Sequence, residues 1–98
     1  MTYEQKEAIA QKLMSLDLKT DGARAKRRLA LKYLNDYQRL DNRPVAMIEL
    51  AHHSLVMLGE LHEMCLRGSA IRKAASVESI IREIEALVLA DHPEVSHA

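Results

Sequence analysis

Apolar side chains recur along this chain at spacings of three and four residues, the repeat of a helix face, and nowhere alternate over the length of a strand. Ala8, Ile9, Leu13 and Leu16 share one side of a first helix at about 3–16. Thr2 followed three residues later by Gln5 has the pattern of a capping box, and Glu4 is well placed against the helix dipole. Residues 17–22 break the repeat, and Thr20 or Asp21 can cap a second helix extending to about Leu40. Its stripe is Leu29, Ala30, Tyr33, Leu34, Tyr37 and Leu40. Asp41-Asn42-Arg43-Pro44 reads as a turn, with Pro44 suited to the first position of a third helix. That helix runs from about Val45 to Arg67, with Gly68 as a natural stop. Ser69 to Ala75 fits a short helix or a turn. Ser76 then caps a final helix that His92-Pro93 ends, and residues 93–98 read as a frayed tail.

The third helix is apolar over more than half its circumference. Met47, Ala51, Leu55, Leu58 and Cys65 lie on one side, and Leu50, Met57, Leu61 and Met64 widen it. Such a helix must be covered by several neighbours. The pattern therefore predicts an all-α fold: a small antiparallel bundle of three to four helices around a long central one. On the last helix Val77, Ile80, Ile81, Ile84, Leu87 and Val88 repeat almost as a heptad. Together with the wide third helix, this seam predicts that apolar surface is left over and is buried against a second copy, making a homodimer.

Composition agrees with helices. Of 98 residues, 48% are apolar, yet Phe and Trp are absent and the bulk comes from Leu, Ile, Ala and five Met. Three Gly and two Pro leave few tight turns, and the length predicts one domain. Cys65 is the only cysteine, so it has no internal disulfide partner; on an apolar helix face it reads as a buried thiol, not a nucleophile. The polar opening Met-Thr-Tyr-Glu-Gln-Lys-Glu lacks a signal-peptide core, and no apolar run approaches the roughly 20 residues of a membrane span. The expectation is a cytoplasmic protein with no membrane partner.

Charge changes the picture more than composition does. The formal net charge is zero, but residues 19–43 carry eight basic and three acidic groups, while residues 44–98 carry four basic and eight acidic. The tight part of the basic cluster, Arg24, Lys26, Arg27, Arg28 and Lys32, occupies the first half of the second helix, where positive charge opposes the macrodipole. Three explanations fit: a solvated face balanced by the acidic C-terminal half, a docking face for a protein with an acidic surface, or phosphate contacts to a nucleic acid. Tyr33 and Tyr37 share the stripe of Leu29 and Leu40, which favours packing over base stacking.

Catalytic patterns are sparse. Glu49-Leu-Ala-His52 has the spacing of one Glu-x-x-His element of a di-iron bundle, but no second copy lies on a predicted helix, and the second helix offers only Asp36 as a mid-helix carboxylate. His53 and His62 sit among Glu60 and Glu63, as on an ordinary polar face. No nucleophile elbow, phosphate-binding glycine loop or zinc-ligand spacing occurs. Arg67-Gly68-Ser69 is the one candidate turn for a helix-turn-helix, between a helix too apolar and a segment too short for that role. The leading expectation is thus a small non-enzymatic helical protein without cofactor or metal. It would modulate or inhibit a larger protein through the basic face, a mode frequent in bacteria and their mobile elements. A nucleic-acid-associated protein is the alternative, and a metal-binding or enzymatic bundle around Glu49, His52 and His53 the third.

Overall fold

In a computed structural model, which describes residues 1–40 and 43–93, the chain forms four helices: α1 (Tyr3–Met14), α2 (Asp21–Arg39), α3 (Pro44–Arg67) and α4 (Ile71–Asp91). No strand occurs among the described residues. The capping box forms as expected: the Gln5 amide donates to the Thr2 hydroxyl at 3.1 Å and the Thr2 amide to the Gln5 side chain at 2.8 Å. Thr20 caps α2 by accepting from the Ala23 amide at 3.1 Å. Pro44 opens α3. The expected turn at Asp41 and Asn42 and most of the expected tail lie outside the described residues.

Neighbouring helices run antiparallel. Along α2 and α3, Lys26 meets Glu60, the Ala30 carbonyl meets Ser54, and Tyr33 meets His53, so position rises on one helix as it falls on the other. α3 is the central element, flanked by α2 on one side and α4 on the other, and α1 closes the bundle by packing against α2 and α4. Ser54 shows why α2 and α3 approach closely. It is fully buried, and its hydroxyl donates to the Ala30 carbonyl at 2.9 Å, so the polar atom is satisfied.

The start of the last helix departs from expectation. α4 begins at Ile71, and Ser76 lies inside it, donating back to the Arg72 carbonyl at 3.1 Å. The hydroxyl that could have capped a helix instead bonds the preceding turn. The connection to α3 is a Schellman turn: the Ala70 amide donates to the Cys65 carbonyl at 2.8 Å and the Ser69 amide to Leu66 at 3.0 Å. Its left-handed residue is Ser69 (φ 59°), while Gly68, the expected stop, has an ordinary φ of −85°.

The apolar seam of α4 is turned inward. Val77, Ile80 and Ile84 are buried in the core with Ile9, Leu13 and Leu58, and Ile81, Leu87 and Val88 pack partly buried against it. Half of the seam expected to hold a second copy, Val77, Ile80 and Ile84, is therefore used within one chain, while Ile81, Leu87 and Val88 keep part of their surface exposed. α1 and α2, together with α4, cover the apolar breadth that the sequence left unassigned. Each fully buried Leu or Ile adds roughly 2 kcal/mol, so this is the main driving force of the fold.

At the end where α1 begins and α4 finishes, the core meets a polar cluster. Tyr37 is fully buried and its hydroxyl donates to Asp91 at 2.5 Å. His92 Nε2 lies 3.1 Å from the same hydroxyl, with its ring edge-on to the tyrosine. Burial, followed by the hydrogen bond to Asp91 and that carboxylate's charge, raises the Tyr37 hydroxyl far above its ordinary range. Partial burial pushes the Asp91 carboxyl up, but hydrogen bonds from the Met1 amine and Tyr37 outweigh it and hold it below the usual value.

Candidate functional site

The basic cluster lies on α2, whose capped first turn positions it beside the end of α1. Arg24, Arg28, Leu31, Lys32, Asn35 and Arg39 recur at three- and four-residue steps and form one face of the helix. Met14, at the last position of α1, stands against this face. Together with Arg27 and Asp36 these residues line a groove of about 670 Å³. From Arg24 to Arg39 the groove is about 22 Å long at 1.5 Å per residue. Met14 is more than half exposed and Leu31 half-buried, so the groove has apolar surface between its cations.

The five cations named from the sequence do not share one role. Arg27 reaches back to α1, where its guanidinium donates to the carbonyls of Leu16 at 2.9 Å and Leu13 at 3.3 Å. Arg24 donates to the Leu18 carbonyl at 3.0 Å and pairs with Asp21 at 2.5 Å. These two arginines tie α2 to backbone carbonyls of the last turn of α1 and of the connection that follows it. Lys26 points away from the groove and pairs with Glu60 of α3 at 2.8 Å. Arg28 and Lys32 are exposed, one turn apart, and make no hydrogen bond or ion pair among the described residues. Arg39 is exposed, with Asp36 3.9 Å away.

The groove therefore presents three cations to solvent, Arg28, Lys32 and Arg39, against the single carboxylate of Asp36. Arg27 and Arg24 also line it, each engaged by a backbone carbonyl. The contribution of Arg39 was legible as one of the basic residues of 19–43. Met14 was not, because only the packing of α1 on α2 brings it there.

The histidines stay apart from this site. His52 and His53 are exposed on α3, with His53 stacked at a tilt on Tyr33, ring centres 5.3 Å apart. Among the described residues no three His, Cys, Asp or Glu side chains are gathered in a way that could hold a metal ion, Glu49, His52, His53 and His62 included. Cys65 is buried. Nor do the acidic residues of α4 balance the basic face: Glu83 pairs with Lys12 of α1 at 2.8 Å and Glu78 with Arg82 at 2.7 Å.

No helix is long and apolar enough to cross a membrane among the described residues. No family model, curated protein or solved structure matches this chain.

Proposed function

We propose that this chain is a small interaction protein that binds an acidic segment of a larger protein in the α1–α2 groove, and acts by occupying that segment and not by catalysis. The observation that carries the reading is the pairing of exposed cations with apolar surface in one groove: Arg28, Lys32 and Arg39 beside Met14 and Leu31. Cations steer association and select charge, while apolar contacts supply most of the affinity. A segment with acidic residues flanking a leucine or methionine satisfies both. Phosphates alone would leave Met14 and Leu31 uncovered, and the groove has no aromatic side chain on which a base could stack.

The test is a comparison of two immobilised proteins, wild type and Arg28→Glu/Lys32→Glu, in nuclease-treated extract. The expected result is a polypeptide retained by the wild type, released by salt, unaffected by competitor DNA, and lost with the double variant. Equal retention by both proteins, or binding that disappears with nuclease, contradicts the proposal.

A further inference from the structure

A second cavity, of about 400 Å³, opens at the end of the bundle opposite the Tyr37–Asp91 cluster, between the α1–α2 connection and the α3–α4 turn. Its surface is divided in a telling way. Leu18, Ala23 and Cys65 form its apolar floor, and they are the three apolar core residues that keep the most exposure, 7–8% each, where the other core residues keep 3% or less. The core is thus sealed along the bundle and opens here. Lys19, Arg67 and Lys73 stand around the opening, and no acidic residue lines it. Asp17 is close by, pairing with Lys19 at 2.6 Å and lowered in pKa by Lys19 first and by Lys73 more weakly. Arg67 makes no hydrogen bond or ion pair among the described residues.

An apolar floor under a cationic rim fits a molecule that is itself divided. We propose that this cavity binds a single-chain anionic amphiphile, a medium-chain carboxylate, with its tail on Leu18, Ala23 and Cys65 and its head between Arg67 and Lys73. The volume lies in the lower part of the range of about 300–1,000 Å³ usual for small-molecule sites. The tail lies on the part of the core that keeps the most exposure, and the head lies between the side chains of Arg67 and Lys73. Met64 forms one wall, and its terminal methyl would lie 3.2 Å from a Cβ at position 22. Gly22 thus leaves room for a flexible side chain that can shift as a tail enters. The site shares no residue with the α1–α2 groove and does not depend on the function proposed for that groove.

Decanoate is the probe, titrated calorimetrically into the whole protein and followed independently by the rate at which a thiol reagent modifies Cys65, the only cysteine. Decanoate is expected to bind and to slow that modification. Decyltrimethylammonium should do neither, and decanol should bind about tenfold more weakly, since it keeps the tail and loses the charge. Ala70→Leu fills the cavity at a position where the Schellman turn favours an apolar side chain, and it should abolish binding. Arg67→Gln/Lys73→Gln changes only groups outside the buried core and should weaken binding roughly tenfold while leaving thermal unfolding unchanged. The proposal is overturned if decanoate neither binds nor protects Cys65, or if the ammonium amphiphile binds equally well. It is also overturned if Ala70→Leu binds as the wild type does, or if only anionic lipid vesicles bind.

Discussion

The Arg27 guanidinium of α2 donates to the Leu16 carbonyl just beyond α1, 2.9 Å away, and so ties α2 to the turn that ends α1. A residue that reads as surface charge in the sequence is thereby part of the fold. Arg27→Ala removes a charged donor to the carbonyls of Leu13 and Leu16, which keep only their backbone partners. It should cost about 1–2 kcal/mol, lowering the thermal midpoint by about 5–10 °C in calorimetry. No change in the midpoint contradicts this role.

Arg28 and Lys32 differ from Arg27 only in what they touch. Both are exposed and unpaired among the described residues, so Arg28→Glu/Lys32→Glu should leave the midpoint within about 2 °C of wild type. Circular dichroism melts of this variant beside Arg27→Ala separate the structural arginine from the free cations. A large loss of stability in the double variant would make the whole face structural.

Ser69 bears the left-handed conformation of the α3–α4 turn, and Gly68 does not. A β-carbon in that region costs about 1 kcal/mol or more, so Ser69→Gly should stabilise the protein by about 1 kcal/mol against chemical denaturation. Gly68→Ala should be neutral or slightly stabilising, because its Cβ would meet only carbonyl oxygens at ordinary distances of 3.5 and 3.8 Å. The reverse ranking in urea titrations would refute the assignment of the turn.

The hydrogen bond between buried Tyr37 and partly exposed Asp91 makes stability depend on pH. Tyr37 keeps its proton in the fold to a pH well above that at which the unfolded chain loses it, about 10. The folded state therefore binds more protons above that pH, and stability falls as pH rises beyond about 10. Asp91 works in the opposite sense. Its lowered pKa stabilises the fold above the ordinary carboxylate range, and that contribution fades as pH drops through about 4 and below. Tyr37→Phe should flatten the alkaline arm of a plot of unfolding midpoint against pH. An alkaline arm unchanged in that variant assigns the effect to another group.

The helices, their caps at Thr2 and Thr20, and the central place of α3 were legible because each rests on local chemistry: a repeat of 3.6, a hydroxyl before an amide, an apolar surface too wide for one partner. What was not legible depends on tertiary placement. The seam from Val77 to Val88 looked the same whether it faced a second copy or Leu58 of the same chain, and the packing of α4 on α3 and α1 decides. Because Val77, Ile80 and Ile84 of that seam are buried internally, sedimentation at micromolar concentration should show a monomer. A stable dimer would mean that another surface associates. The basic face was visible as charge, but its division into capping arginines and free cations was not. Arg27 and Arg28 are adjacent and chemically identical, and the packing of α1 alone separates them.

The most direct test of the central claim reads where an acidic segment binds. A peptide of about fifteen residues, helical, with glutamates flanking a row of leucines, is titrated into the protein while the methyl signals of Met14 and Leu31 are followed by NMR. Both signals should move together and saturate, with little change at Val45 or Leu66 on α3, and the movement should vanish in Arg28→Glu/Lys32→Glu. Shifts at α3 with Met14 and Leu31 unmoved, or the same response in the double variant, contradict the account.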